Sequence, residues 1–259
     1  MIYDTFIFND ELDMLEARLY ELQDVPGLTH VIAEAAVDHR GTPKTRHYLE
    51  HYERFAPWKD RIRYVAGAPL PDSPDPWDRE HAQREYARSG LWDAAPGDLV
   101  LHGDVDEIPS TDALAMITDG RVPLDEPVVL GQRHFMYACD WEFPAPFWPG
   151  TIAARYRDIE GFQWLRAQRF TLPVLPGGGW HLSWMGGLEA QRRKLGQHCH
   201  LEMTALEAAR IDSGRCYRDG LNHGGVQMIP VDVDETWPRW VAERKCPANW
   251  FRPREHACA

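Results

Sequence analysis

Short apolar runs alternate with amphipathic stretches through the first hundred residues. Ile2 to Phe8 reads as a strand, with Asn9 as a helix cap and Asp10 and Glu11 placed to suit the helix dipole. Leu12, Leu15, Leu19 and Leu22 recur at helical spacing until Pro26 and Gly27 end the unit. His30 to Ala36 predicts a second strand. A polar loop from Gly41 to Lys44 leads to a helical stretch around His47 to Phe55, and Arg61 to Ala66 predicts a third strand. Prolines at 69, 71, 74 and 76 mark a loop, and a charged helix is expected from Trp77 to Ser89, stopped by Gly90. Asp98 to Gly103 is the fourth predicted strand. Such alternation predicts a parallel sheet and an α/β fold.

The pattern changes after residue 109. Val128 to Cys139, Ile152 to Arg157 and Phe170 to Leu175 predict strands, with a loop rich in proline and aromatics from Pro144 to Gly150. A glycine-rich segment runs from Gly177 to Gly187. Helices are expected from Leu188 to about His200 and from Thr204 to Asp212, and an irregular tail from Pro230. This divides a single domain of 259 residues into a half spanning 1–109 and a second half spanning 110–259.

At 44% hydrophobic residues the chain can fill a core and is not disordered. A net charge of -12 argues against nucleic acid or an anionic membrane as partner. An anionic nucleotide stays possible, because a bound metal reverses the local sign. The five cysteines form no CxxC pair, so neither a disulfide framework nor a zinc knuckle is expected, and a reducing compartment fits best. The first residues carry neither a basic segment nor a long apolar run, which predicts a cytoplasmic protein without signal peptide or membrane anchor. Eleven tryptophans serve either packing or a carbohydrate site, where flat rings cover sugar faces. Trp141, Trp148, Trp180 and Trp184 lie among prolines and glycines, which favours a cleft.

Candidate chemistry gathers where the apolar run Leu99 to Leu101 leads into Asp104, Asp106 and Glu107. A bare Asp-x-Asp is common, and an acidic turn is its ordinary reading. Here it follows a buried strand, at the edge where open α/β sheets bind ligands. In an extended segment Asp104 and Asp106 point the same way, and a hard divalent cation is their natural counter-charge. A metal so placed holds a diphosphate, which suggests a nucleotide-sugar enzyme. His181 is either a structural histidine or a further ligand. His198 and His200 would point two ways on a helix and are set aside as a metal pair. Glu189 is a dipole partner or a general base, with Asp140 and Glu142 as rivals. Glu80 and Arg84, four apart, form an ordinary ion pair or reach the nucleotide, and Lys44 is a further phosphate partner.

Several segments together resemble glycosyltransferase family 17: Tyr3 to Leu22, Gly41 to Lys44, Trp77 to Arg84, Asp98 to Pro109 and Gly178 to Trp184. The resemblance covers most of residues 2 to about 220 in order. The family includes the enzyme that adds the bisecting N-acetylglucosamine to the core mannose of N-glycans. The resemblance implies a GT-A-like (Rossmann-like) fold with a nucleotide-binding sheet and an acceptor-binding second half. It implies inverting transfer of a sugar, N-acetylglucosamine first, from a UDP-sugar to a glycan hydroxyl. It further implies manganese or magnesium on Asp104 and Asp106 with His181 as third ligand, and Glu189 preferred to Asp140 as base. Phe8, Glu34, Lys44, Arg84, Asp104, Trp180 and Trp184 are the expected nucleotide-sugar contacts. The membrane anchor and stem of the animal members have no counterpart here, which points to a bacterial type with a different acceptor. The rival readings are a non-catalytic carbohydrate-binding protein and a metal-dependent hydrolase or nucleotidyltransferase.

Overall fold

The computed structural model describes residues 1–253 except 68, 198 and 200–202. Ile2–Phe8 forms β1, buried at every position but Ile7, as suits a strand covered on both faces. Helix α1, Leu12–Leu22, starts later than an Asn9 cap implies. The Glu11 carboxylate accepts from the backbone N–H groups of Asn9 and Asp10, while the Asn9 amide donates to Gln197. The chain continues through β2 (Leu28–Glu34), α2 (His47–Glu50) and a 3-10 stretch, Tyr52–Arg61. The longer helix expected from His47 is cut short, and Pro57, inside the 3-10 stretch, has no N–H to give a helical bond. Then come β3 (Ile62–Ala66), α3 (Pro76–Tyr86), β4 (Leu99–Asp104), β5 (Glu107–Pro109) and α4 (Thr111–Thr118).

The second half contains β6 (Val128–Met136), β7 (Trp141–Glu142), β8 (Trp148–Arg155), α5 (Phe162–Ala167) and β9 (Val174–Ser183). After it follow α6 (Gly187–Gln197), α7 (Ala205–Asp212), α8 (Arg215–Asp219), β10 (Ile229–Pro230) and α9 (Arg239–Ala242). One expectation is corrected here. The strand predicted from Phe170 to Leu175 is displaced, and the glycine-rich segment is itself the strand, β9. It is wedged between β6 and β5. A Cβ at Gly178 would lie 2.7 Å from the Leu130 Cα, and one at Gly179 2.1 Å from the Ile108 carbonyl oxygen. The glycines are therefore demanded by close strand approach.

The sheet order is β10-β7-β6-β8-β4-β1-β2-β3, with β9 joined to β6 and β5. Strands β4, β1, β2 and β3 are parallel, and β8 runs antiparallel to β4 and β6. This is the mixed α/β architecture the strand and helix alternation implied, a central sheet flanked by helices. Phe6, Phe8 and Ile32 pack with Leu15 and Leu19 of α1 on one face; Val31, Ala33 and Val100 pack with Phe162 and Leu165 of α5 on the other. The tail expected to be irregular closes the first face. Trp237, Trp240 and Trp250 are buried among the α1 residues.

One polar group crosses that core. The Arg18 guanidinium on α1 is fully buried and holds both Asp4 oxygens, at 2.6 and 2.9 Å. Its Nη1 donates to the carbonyls of Asp104, Val105 and Glu107, at 3.0, 3.3 and 2.7 Å. Burial works to raise the Asp4 pKa, but Arg18 and the His30 hydrogen bond overcome it and hold the carboxyl well below its usual range. Burial also pushes His30 down, so its neutral Nδ1–H donates to Asp4 at 2.8 Å.

We expect Arg18→Met to destabilise the fold by about 3–5 kcal/mol in urea unfolding, because it strands a buried carboxylate. Since the folded pKa of Asp4 is depressed, its contribution is complete above the unfolded value near 3.8 and is lost as pH falls below it. Unfolding measured from pH 6 down to 3 should show this loss in the wild type.

Candidate active site

A cleft of about 450 Å³ opens beyond the carboxyl ends of β1 and β4, in the size range of small-ligand sites. Phe8, Asn9, Asp104 and Asp106 line its floor. Arg84, Arg166, Arg169, His181, Trp184 and Lys194 form its walls.

The three acids of the β4–β5 turn take different roles. Glu107 is completely buried and structural: it accepts from Arg166 through both oxygens at 2.7 Å, from the Trp148 indole at 2.8 Å and from the Asp104 backbone at 3.0 Å. This crowding fixes Gly103, where a Cβ would lie 2.8 Å from the Glu107 carboxylate. Asp104 is held between two guanidiniums, Arg84 at 3.0 Å and Arg166 at 2.7 Å. Burial works to raise its pKa, but these two charges bring it well below the usual range.

Asp106 differs. Burial, then the neighbouring Asp104 and Glu107, push its pKa up to about 6 against the opposing pull of Lys194, 3.4 Å away. Its other oxygen lies 3.6 Å from His181 Nε2. His181 stacks against both His134 and Trp148, with ring centroids at 4.5 and 4.6 Å, in a three-ring cluster in which His134 and Trp148 also touch at 5.0 Å. Burial lowers its pKa to about 4, so the ring is neutral at neutral pH and can offer a lone pair. A carboxylate oxygen and an imidazole nitrogen facing each other with a shared gap suit a divalent ion such as manganese or magnesium.

The structure thus brings Asp106 and His181 together, whereas the Asp104 carboxylate is engaged by arginines. Phe8, Arg84 and Trp184 also line the cleft, and Trp184 adopts a left-handed backbone with φ 61. The other expected contacts lie elsewhere. Glu34 is fully buried and accepts from Lys44, the backbone N–H groups of His47 and Tyr48, and the Tyr64 hydroxyl. It is therefore a folding anchor for α2, and Lys44 is occupied by it. Trp180 faces the opposite side of β9 from His181, buried in the α1 core with its indole donating to Thr236. Asp140 sits in a separate recess, bound to Arg252. Glu189 is exposed on α6 and does not line the cleft. Neither Glu189 nor Asp140 lines this cleft. His198 and His200 lie outside the described residues.

Sequence reading missed Arg166, Arg169 and Lys194. Two of them flank the end of α5, a helix of six residues whose short pattern gave no periodicity to read. Arg169 lies over the rings of Trp148 and Phe170, at 5.1 and 4.7 Å, and lines the cleft. Among the described residues it has no carboxylate partner, unlike Arg84, Arg166 and Lys194.

A metal held by Asp106 would compete with the proton on its carboxyl. Manganese affinity measured by calorimetry should be level above about pH 6 and fall by about tenfold per unit below it. Asp106→Asn should remove that dependence together with most of the affinity.

The family model of glycosyltransferase family 17 matches residues 1–212. No curated protein matches the sequence. Among solved structures, the galactosyltransferase LgtC with donor and acceptor sugar analogues is 12% identical at a TM-score of 0.34. The match covers 66% of this chain and 61% of LgtC, so this chain spans under two thirds of that protein. S. aureus TarS is 12% identical at 0.42, covering 83% of this chain and 42% of TarS. The 4-diphosphocytidyl-2C-methyl-D-erythritol synthase of Anaerococcus prevotii is 14% identical at 0.36, covering 68% and 86%. These values are too low to assign chemistry. Among the described residues, no helix is long and apolar enough to cross a membrane.

Proposed function

The chain belongs to glycosyltransferase family 17, and from that premise we propose that its cleft moves a sugar from a UDP-sugar to a glycan hydroxyl with inversion, N-acetylglucosamine being the first donor to test. The observation that carries this reading is the cleft itself, where Asp106 and His181 face each other and which Arg169, without a carboxylate partner among the described residues, also lines. An enclosed cation beside a potential metal pair is suited to a diphosphate. Asp106 and His181 are the residues that would hold a divalent metal, with Asp104 close by. When bound, such an ion supplies positive charge against the negative charge developing on departing UDP.

The chain's own groups do the rest. Arg169 meets the diphosphate, and its seat on Trp148 and Phe170 limits the rotamers it must give up on binding. Arg84 and Arg166 keep Asp104 ionised and fixed, and Arg166, through Glu107, fixes Trp148 against His181. Trp184, held near Lys194, offers an aromatic face to the sugar. The acceptor hydroxyl gives its proton to a carboxylate that lines the cleft, not to Glu189 or Asp140. Residues after 109 supply the acceptor side.

Calorimetry with UDP, uridine and UDP-N-acetylglucosamine, with and without manganese, tests the reading. Metal-dependent UDP binding and sugar transfer to a glycan acceptor are expected. Sugar binding without nucleotide binding would favour a carbohydrate-binding protein, and nucleotide turnover without transfer a hydrolase or nucleotidyltransferase. Asp106→Asn should lower kcat at least about a hundredfold, whereas Glu189→Gln should stay within about threefold of wild type. Arg169→Ala should weaken UDP binding about ten- to a hundredfold and leave uridine binding unchanged.

A further inference from the structure

A second group of donor atoms lines the same cleft. His39 Nδ1 is 3.7 Å from Glu80 Oε2, and the Cys199 thiol is 2.9 Å from the same oxygen. All three donor atoms fall within 4.8 Å of one another. They come from three separate places: the loop after β2, helix α3 and the segment after α6. Cys199 is buried, and the side chains of His39 and Glu80 are largely so.

The hydrogen bonds around His39 fix its tautomer. The buried Gln83 amide nitrogen donates to the carbonyls of Phe8 and Ala33, at 3.1 and 2.9 Å. Gln83 Oε1 is therefore an acceptor, and it lies 3.1 Å from His39 Nε2, which must carry the proton. In the neutral ring Nδ1 then holds a lone pair, and it faces the Glu80 carboxylate. Two acceptors aimed at one point, with the imidazole locked from behind by an amide, is the arrangement that supports a metal-binding histidine.

We propose that His39, Glu80 and Cys199 form a second cation site, distinct from Asp106 and His181, that takes a thiophilic divalent ion of the zinc class. The donor set decides the metal. A sulfur ligand with imidazole and one carboxylate oxygen suits zinc or cobalt and does not suit magnesium or manganese. Three protein ligands leave one position open to the cleft. On binding, the thiol gives up its proton to solvent and the sulfur takes the metal, with no change of oxidation state. The other Glu80 oxygen holds Arg84 at 2.7 Å, and the same Arg84 nitrogen holds Asp104. Arg84 thereby links this group to Asp104.

The test is cobalt titration of the metal-free full-length chain, read as thiolate-to-cobalt charge-transfer absorption, followed by zinc competition. Wild type should develop the band at one equivalent and lose it to zinc. Cys199→Ser should abolish the band, and His39→Ala should weaken cobalt binding at least about tenfold. Asp106→Asn should keep the band, which separates this site from the one proposed for sugar transfer. Absence of the band in wild type, or its persistence in Cys199→Ser, would overturn the proposal and leave His39 and Glu80 as an ion pair. Loss of the band in Asp106→Asn would overturn the claim that the sites are distinct. None of these results depends on whether the chain binds a nucleotide.

Discussion

The buried guanidinium of Arg18 is the constraint on which the cleft depends. It joins helix α1, the Asp4 carboxylate inside β1, and the carbonyls of Asp104, Val105 and Glu107 in the turn that carries the acids, at and beyond the last ladder pair of β1 with β4. A turn beyond a strand end has unsatisfied carbonyls, and in a buried setting these need donors. Arg18 supplies them from below, so Asp104 and Asp106 can present their side chains upward into the cleft. Asp4 is present because a buried guanidinium needs a charge partner, and His30 completes the set.

Charge distribution above that anchor explains how an acidic protein can serve an anionic ligand. The net charge of -12 is a property of the whole chain. In the cleft, Arg84, Arg166, Arg169 and Lys194 stand among the acids. Glu107 and Asp104 are largely neutralised by Arg84 and Arg166, so the local field is set by what remains: Asp106 opposite His181, and Arg169, which has no carboxylate partner among the described residues. The two halves of this arrangement come from opposite ends of the sequence order. The acids sit at the end of β4 and in the turn and short strand β5 that follow it, and most of the cations come from the second half. Assembly of the sheet across residue 109 creates the site.

Both ends of β6 and β9 add a geometric constraint. Tyr137 and Trp184, neither a glycine, hold left-handed backbone conformations with φ 70 and 61. The Tyr137 N–H donates to the Ser183 carbonyl at 2.8 Å, tying the two strand ends together. Such backbone states cost on the order of 1–3 kcal/mol each, and the packed sheet beneath must hold them. Here they set where the Trp184 ring enters the cleft.

Local pattern alone determined the strands and helices of the first half, because a buried parallel strand is a continuous apolar run and α1 has a clear helical period. It also located the acid turn, since position after a buried strand is a local fact, and it picked out His181 by its glycine surroundings. It erred where neighbours decide. Glycines in β9 look like a loop until β5 and β6 press against them, and the tail tryptophans look irregular until α1 covers them. Glu34 and Glu107 have the composition of ligands and the burial of anchors, which only their hydrogen-bond partners reveal. Arg166, Arg169 and the His39–Glu80–Cys199 group were invisible in the sequence because their meaning is spatial. A charge is free or spent according to what lies within a few ångströms, and that is fixed by tertiary packing rather than by order along the chain.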